Sequence, residues 1–384
     1  MKHKLLILFL TGFLNLNANP WVQKADFGGP GRHRATGISI ANKGYMGLGH
    51  VNGTGVDINY KDWWQFDPAS NSWSQKANFP LLNHGAVSFS TDTRGYVGGG
   101  SALSNEFYEY NPVTNIWSSI APCPISPGDS QGFSVQNKGY VYLGNQLAEF
   151  DPSTNSWSIK PTAPISFGTW SCSFGTESSG FVKSGIYLYE FKPGSNEWIQ
   201  RASFPGQMSN GSSAFSIENK GYVTCGYVGA LANVTDEVWE FNPGNNSWNF
   251  ICNFPGSNRR FPVAFAINNK GYFGTGTNGI NMNDFWQYYF DPLEIDQLDL
   301  DNVSVSVFPN PAVDKVNFHI NGIESFSGNQ YSLSIHASDG RMISSQQVNS
   351  TDLSIDRNSI QAGIYFYSIQ YRNTAIKKGK IIYY

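Results

Sequence analysis

Two short basic clusters in this chain could bind an anion. Arg32, His33 and Arg34 are consecutive, and Arg259 and Arg260 form a second pair. A guanidinium group can hold a carboxylate through two parallel hydrogen bonds, so the clusters indicate a site for a carboxylate or a sugar acid. Arginines in loops also satisfy nearby carbonyl oxygens, and the sequence leaves that structural role open.

Three histidines and two aromatic residues extend the set of candidates. His33, His50 and His84 could together hold a metal ion. No carboxylate at a known spacing accompanies them, so we expect exposed or hydrogen-bonded loop histidines and predict no metal and no other cofactor. Trp170 and Tyr227 could stack against a sugar ring, although most aromatic residues of such a chain belong to the core.

The composition of the 384-residue chain favours an all-β protein with two domains. Aromatic residues make up 15%, charged residues 14%, and there are 40 glycines, a combination that favours short strands and tight turns over coiled coil or disorder. The net charge of −3 provides no basic field, so no nucleic-acid partner is predicted. The cysteines show no metal-binding spacing, and the sequence does not decide whether Cys172 and Cys225 form a disulfide.

Residues 1–19 are predicted to be a signal peptide. Lys2 and Lys4 precede the apolar stretch Leu5–Leu14, and the small residue Ala18 suits the position before a cleavage site. No later segment approaches the ~18 consecutive apolar residues of a membrane-spanning helix, so no transmembrane segment is predicted. We therefore expect an exported protein.

An internal repeat dominates the next 270 or so residues and suggests what positions the candidate side chains. A block of the form Phe/Tyr-x-Pro-x-x-Asn-x-Trp, with Asp or Asn most often before the proline, recurs at 66–73, 110–117, 150–157, 191–198 and 241–248, and a sixth copy starts at 290–292. A glycine–aromatic pair precedes each block. The pairs are Gly44-Tyr45, Gly95-Tyr96, Gly139-Tyr140, Gly180-Phe181, Gly221-Tyr222 and Gly271-Tyr272.

Each repeat is predicted to form a four-stranded antiparallel sheet. Proline in the Asp-Pro turn favours a hairpin between the third and fourth strands. Residues 21–27 match the fourth strand at 73–79, while the last repeat lacks a fourth strand. The N-terminal strand should therefore complete the last sheet and close a ring. These motifs resemble the kelch family over residues 21–292, and the resemblance implies a six-bladed β-propeller, which we place at residues 20–292.

An acidic linker at 293–302 leads to a second predicted domain at 303–384. Alternating apolar and polar residues there predict a small immunoglobulin-like β-sandwich. The predicted strands are Val303–Phe308, Val313–Ile320, Tyr331–Ala337, Met342–Gln347, Ile364–Tyr371 and Ala375–Tyr383.

Four motifs of this second domain together resemble a type A sorting domain of the type IX secretion system of Bacteroidetes-like bacteria. The resemblance implies that the outer-membrane translocon is a partner, that the domain is usually removed, and that the cargo is secreted or attached to the outer-membrane surface. An ordinary immunoglobulin-like binding module is the alternative. The motif residues are Pro309, Asn310, Pro311, Asp339, Gly340, Gly363, Tyr365, Lys377, Lys378 and Lys380.

The loops on one face of the predicted propeller differ strongly in length. The loops between the second and third strands are long in blade 1 (49–61), blade 5 (226–236) and blade 6 (274–283), which are neighbours in a closed ring. The basic and histidine candidates fall on the same face. Uneven loops on a regular scaffold often carry recognition, but plain surface elaboration explains them equally well.

Three function classes remain open from the sequence. The favoured one is a binding module for a glycan or a protein. The second is a carbohydrate-active enzyme resembling six-bladed kelch N-acetylneuraminate epimerases, which would need an acid/base pair at the channel mouth, with Asp129 and Glu177 as its candidates. The third is an adhesion protein without a small ligand. The absence of a clustered carboxylate pair favours binding over catalysis.

Overall fold

The architecture comes from a computed structural model that describes residues 20–53, 55–102, 105–207, 210–289, 304–321, 331–337, 341–357, 360–371 and 374–384. The predicted signal peptide and linker, and Asp339 and Gly340, lie outside the described residues. The chain divides into two compact units, Met1–Phe290 and Asp291–Tyr384. All regular structure in the described part is β, and no helix there has the length and hydrophobicity that a membrane-spanning segment needs.

The first unit is a six-bladed propeller in which every blade has four strands. Strand β1 (Trp21–Gln23) precedes blade 1, which has β2 (Thr36–Ile40), β3 (Lys43–Gly47), β6 (Trp63–Asp67), β7 (Ser72–Gln75) and an added hairpin of β4 (His50–Gly53) and β5 (Val56–Asn59). Blade 2 has β8 (Val87–Ser90), β9 (Gly95–Gly98), β10 (Phe107–Asn111) and β11 (Ile116–Ser119). Blade 3 has β12 (Phe133–Val135), β13 (Lys138–Leu143), β14 (Gln146–Asp151) and β15 (Ser156–Lys160).

The remaining blades follow the same order. Blade 4 has β16 (Cys172–Gly175), β17 (Gly180–Ser184), β18 (Tyr187–Lys192) and β19 (Glu197–Gln200). Blade 5 has β20 (Ser213–Ile217), β21 (Lys220–Tyr227), β22 (Val234–Asn242) and β23 (Ser247–Asn253). Blade 6 has β24 (Val263–Ile267), β25 (Lys270–Gly274), β26 (Phe285–Tyr289) and the returning β1.

The N-terminal strand closes the ring, as the repeat pattern predicts. Strand β1 pairs antiparallel with β26, with Trp21 opposite Tyr288. The Trp21 side chain is buried and meets the rings of Phe254 and Phe273 edge-on, with centroids 5.2 and 5.7 Å away. Closure thus pairs the edges that an open array would expose, and an aromatic contact fixes the closing strand.

The Asn-x-Trp part of the repeat joins each of blades 1 to 5 to the preceding blade. The indole N–H of Trp117 donates to the Ala77 carbonyl at 3.0 Å, and the Ala77 N–H donates to Asn115 Oδ1 at 2.9 Å. Ala77 lies four positions after Trp73, the tryptophan of the preceding blade. Its N–H and its carbonyl are therefore both satisfied by the next blade. The equivalent indole bonds join Trp73 to Ala25, Trp157 to Ala121, Trp198 to Pro161 and Trp248 to Ala202.

The glycine of the glycine–aromatic pair is required by packing between blades. A Cβ atom on Gly180 would lie 1.9 Å from the ring of Phe133 in the blade before it. Inner strands can therefore approach the neighbouring blade only where a side chain is missing.

The four cysteines are free thiols, which answers the question of Cys172 and Cys225. Burial raises the pKa of the Cys225 thiol to about 12, so this group is an inert part of the core.

The second unit is a sandwich of two antiparallel sheets. One sheet has β27 (Ser304–Phe308), β28 (Lys315–Asn321) and β31 (Asp352–Asp356). The other has β30 (Met342–Gln347), β29 (Tyr331–Ala337), β32 (Gly363–Tyr371) and β33 (Thr374–Tyr383). Strand β31 was not predicted from the sequence, and β28 begins two residues later than predicted. The buried residues between the sheets include Val316, Phe318, Leu333, Ile335, Ile369 and Ile381.

Candidate functional site

Six residues, one from the loop that enters each blade, form a closed backbone ring around the propeller axis. Each one lies ten positions before the glycine of its glycine–aromatic pair. The N–H of each donates to the carbonyl of its predecessor over 2.5 to 3.3 Å, and the last bond runs from Arg34 back to Phe261. We call this set the mouth ring. Its members are Arg34, Gly85, Asp129, Trp170, Gly211 and Phe261.

All six residues of the mouth ring have a left-handed backbone, with φ between 53° and 67°. This conformation costs a residue with a side chain about 1 kcal/mol or more, and only glycine adopts it freely. Four of the six positions nevertheless carry side chains, and all four are half-buried. Strain of this kind collects at functional sites, so the ring is where a ligand is to be sought.

One half of the mouth ring is charged. The guanidinium of Arg34 donates from Nε to Asp129 Oδ1 at 2.6 Å and pairs through Nη2 with Asp129 Oδ2. Gly85 lies beneath this ion pair, where a Cβ atom would be 2.3 Å from Asp129 Oδ1. The two charged side chains are 20% and 23% exposed, so the pair is reachable from outside while its charges cancel.

The opposite half of the mouth ring is aromatic. Trp170 and Phe261 meet across Gly211 with ring centroids 5.2 Å apart. Tyr227 lies behind both rings, 6.1 Å from Trp170 and 6.0 Å from Phe261. The Arg260 guanidinium lies 5.7 Å from the centroid of Phe261, which is cation–π distance. The result is an apolar platform with a cation at its edge.

Several buried polar atoms around the mouth have no hydrogen-bond partner among the described residues. They are Trp170 Nε1, Ser130 Oγ, Ser212 Oγ and Arg260 Nε. Trp170, Ser130 and Ser212 line the cavity that the mouth ring surrounds. Since an unsatisfied buried polar group costs about 1–3 kcal/mol, such a cluster is expected where a ligand or water completes the bonding.

The mouth adjoins the central channel, a cavity of about 350 Å3. Ser130 and Gln131 line both spaces. Further in, hydroxyl groups from the inner strands face the channel. They include those of Ser39, Ser88, Ser90, Ser134, Ser173 and Ser216.

The three histidine rings lie against one another beside the mouth, His50 and His84 stacked and His33 tilted on His50. Ring centroids are 4.3 Å apart for His33 and His50, and 3.9 Å apart for His50 and His84. Asn281 and Asn59 bond the Nδ1 atoms of the outer two rings at 2.7 and 2.6 Å. Burial lowers the pKa of His33 to about 4 and that of His50 to about 3, so these imidazoles are neutral at neutral pH. Within the described ranges, no group of three or more His, Cys, Asp or Glu side chains is placed to hold a metal ion.

Two arginines predicted to bind ligand are instead structural, and the prediction is corrected for both. Arg32 is fully buried, and its guanidinium bonds both oxygens of Asp62, at 2.5 and 2.9 Å, and the Leu48 carbonyl at 2.9 Å. Arg259 is bound in the same way by Asp284 and the Thr275 carbonyl. Their donors are occupied within the blade, so neither guanidinium is available to a ligand.

The two carboxylates considered for acid/base chemistry do not lie together. Asp129 belongs to the mouth ring, whereas Glu177 lies in the turn at the far end of β16, where its N–H donates to Asn219 Oδ1. Trp170 is the neighbour of Asp129 in the mouth ring. From Trp170, the seven residues to Glu177 span roughly 20 Å at the rise of a β-strand. A shared acid/base role for the pair is therefore excluded.

Sequence reasoning missed half of the mouth ring. Gly85, Gly211 and Phe261 were not candidates, and neither were Ser130 and Ser212. The ring does leave a signal in the sequence, which is its constant distance from the repeat. The position ten residues before each repeat glycine is occupied by an arginine, an aspartate, a tryptophan, a phenylalanine and two glycines, whereas the repeat itself hardly varies.

Comparison with known proteins assigns the second unit and supports the fold of the first. A family model described as a secretion system C-terminal sorting domain matches residues 306–383. The chain is accordingly exported through the type IX system and is secreted or displayed at the cell surface.

Among solved structures, that of YjhT is similar to the propeller, with a TM-score of 0.58 and 18% identity, and the match covers 68% of this chain and 95% of that one. At this identity the similarity shows the fold, a kelch-type propeller. No curated protein matches the chain.

Proposed function

We propose that this exported propeller is a carbohydrate-binding module whose ligand lies on the mouth ring. The observation that carries the proposal is the aromatic platform of Trp170 and Phe261 beside buried polar atoms that lack partners. Sugars have an apolar ring face and a rim of hydroxyl groups. They therefore suit a site that offers aromatic faces together with fixed donors and acceptors.

The charged half of the ring would orient the sugar. The Arg34–Asp129 pair presents a planar donor and a planar acceptor that can bond two neighbouring hydroxyl groups without adding net charge. Trp170 Nε1 and the hydroxyls of Ser130 and Ser212 would complete further bonds.

Arg260 adds a preference for acidic sugars. Among the described residues no carboxylate lies within ion-pair distance of it, and its Nη1 donates to the Leu231 carbonyl. A uronate or sialate carboxylate beside the aromatic platform would meet this uncompensated positive charge.

The full exported chain on a glycan array tests the proposal. Trp170→Ala should reduce binding about tenfold or more, because each stacked aromatic contact is worth about 1.5 kcal/mol or more once the indole donor is included. Phe250→Ala is the matched control, since Phe250 is 51% exposed on the outer strand of blade 5. The proposal fails if no glycan binds, or if Trp170→Ala binds like the parent chain.

A second variant separates acidic from neutral ligands. Arg260→Gln should weaken the binding of sugars with a carboxylate and leave their neutral counterparts unchanged. An equal loss for both would assign Arg260 to packing on Phe261 instead of charge recognition.

No observation favours the epimerase-like alternative. Asp129 is the one carboxylate among the described residues that line the mouth, and Arg34 holds both of its oxygens. We therefore propose binding without a reaction.

A further inference from the structure

Charge is segregated between the two sheets of the sorting unit. The four-stranded sheet carries Lys377, Lys378 and Lys380 and has no Asp or Glu in its strands. The three-stranded sheet carries both signs, with Asp352 and Asp356 beside Lys315. One side of the sandwich is therefore cationic, and its charge is not neutralised within the sheet.

The strand register places two of these lysines on the outer face with exposed apolar side chains. One row across the sheet runs Met342, His336, Phe366 and Lys380. The next row runs Ser345, Ser334, Ser368 and Lys378. Directly opposed residues of antiparallel strands project to the same side, so both rows share one face. Phe366 is 47% and Met342 58% exposed, so this face combines accessible apolar side chains with the lysines.

This outer face contains a groove of about 660 Å3, lined by His336, Phe366, Ser368, Lys378 and Lys380 among others. The Ser368 hydroxyl is buried in it and has no hydrogen-bond partner among the described residues. Neither Lys378 nor Lys380 lies within ion-pair distance of a described carboxylate. The groove thus offers two free cations, an apolar wall and an unused hydroxyl.

The Pro-Asn-Pro motif holds the strand that presents these lysines. Asn310 Nδ2 donates to the Lys380 carbonyl at 2.8 Å, and the Ile382 N–H donates to Asn310 Oδ1 at 2.9 Å. The Ala312 N–H then donates to the Ile382 carbonyl at 2.8 Å. Asn310 is therefore a positioning residue that fixes the edge of β33.

We propose that the outer face formed by Phe366, Ser368, Lys378 and Lys380 is the surface by which the type IX export machinery binds this unit. The occupant is a segment of that machinery that presents carboxylates next to an apolar side chain. Charge complementarity supports this choice, because a cationic groove whose lysines pair with no described carboxylate selects an acidic surface. The export machinery is also the partner that the sorting-domain match assigns to this unit.

Charge reversal in a bacterium with a working type IX system tests the proposal on the full chain. The double variant Lys378→Glu, Lys380→Glu should lower the exported fraction about tenfold or more and leave the protein in the periplasm, since like charges would oppose each other in the groove. Lys315→Glu is the matched control, because Lys315 is an exposed lysine of the other sheet, and it should be exported normally.

Thermal unfolding of the purified full chain separates misfolding from lost recognition. If the double glutamate variant does not fold, Lys378→Gln with Lys380→Gln takes its place and should still reduce export several-fold. Normal export of a folded variant would overturn the proposal, as would an equal defect in Lys315→Glu. Glycan binding is a separate readout, so failure of the carbohydrate proposal would leave this result unaffected.

Discussion

The rim and the mouth of the propeller use the same six-fold repeat in opposite ways. At the rim, successive repeats place the same asparagine and tryptophan in the same contacts with the preceding blade. At the mouth, all six repeats make the same backbone hydrogen bond, yet the positions carry an arginine, an aspartate, a tryptophan, a phenylalanine and two glycines. Repeated side chains thus build the ring, and varied side chains on a repeated backbone build the site.

The physical reason lies in what each region must satisfy. A rim contact joins two blades. Blades 1 to 5 each meet the same carbonyl group on the preceding blade and, except at Pro161, the same N–H group, so one pair of side chains serves these junctions. In the mouth ring, backbone N–H and carbonyl groups bond one another, so the side chains are not needed to satisfy them. Gly85 and Gly211 occupy the two positions at which the side chains on either side come together.

The largest expected effect is on stability at the rim. Trp117→Ala should lower the free energy of unfolding by about 3–5 kcal/mol, because it removes a ring packed on Phe79 and Tyr110 together with the bond to Ala77. Trp170→Ala at the mouth should cost clearly less. Denaturant unfolding measures both losses, and a larger loss for Trp170→Ala than for Trp117→Ala would contradict the structural role assigned to the rim.

A smaller effect is expected from filling the gap in the charged half. Gly85→Ala should cost about 1–3 kcal/mol of stability and disrupt the Arg34–Asp129 pair, since the new Cβ atom would meet Asp129. Gly185→Ala is the control, because its φ of 57° imposes similar strain but a Cβ atom there meets nothing within 4 Å. Calorimetry on both variants isolates the steric part. Equal losses would show that the ion pair tolerates the methyl group.

The buried histidines predict a loss of stability in mild acid. The unfolded imidazoles bind protons below about pH 6.5, whereas the folded pKa is about 4 for His33 and about 3 for His50. Stability should therefore decrease as the pH falls from 6.5 towards 4, by at most about 1.4 kcal/mol per pH unit for each group. His50→Gln should flatten this dependence in unfolding titrations. An unchanged slope would contradict the assignment.

The smallest effect sharpens the account of the rim clamp. Asn246 accepts the Ala202 N–H at 2.9 Å, whereas its counterpart Asn196 faces Pro161, which has no N–H to donate. Asn246→Ala should therefore cost about 1 kcal/mol more than Asn196→Ala, which is the net value of one hydrogen bond. The two positions have similar φ values, 54° and 56°, so backbone strain cancels in the difference. Identical unfolding midpoints would show that the amide bond adds nothing.

Much of the fold could be predicted because the same sequence pattern recurs many times along the chain. The number of blades and the return of Trp21 to the last sheet followed from matching short segments of the chain. In the sorting unit, β31 was missed because Asp352–Asp356 is short and three of its five residues are polar. That strand is stabilised by pairing with β28, a contact across more than thirty residues.

The candidate site was predicted only in part. Arg34, Trp170 and Arg260 lie at the mouth, and Tyr227 backs the aromatic half. Arg32 was indistinguishable in sequence from Arg34, two positions away, although one is buried against Asp62 and the other reaches the mouth. Which of two nearby arginines points inward depends on a carboxylate thirty residues further along, and no local pattern encodes that distance.

The amino-acid sequence alone determined the six sheets, the closing strand and the sorting domain, because spacing and periodicity are local properties that recur along the chain. Which loop residues meet at the axis depends on the tertiary structure. Closing the ring brings together residues from six blades, as far apart in sequence as Arg34 and Phe261, and their hydrogen bonds and gaps exist only once all six blades are in place.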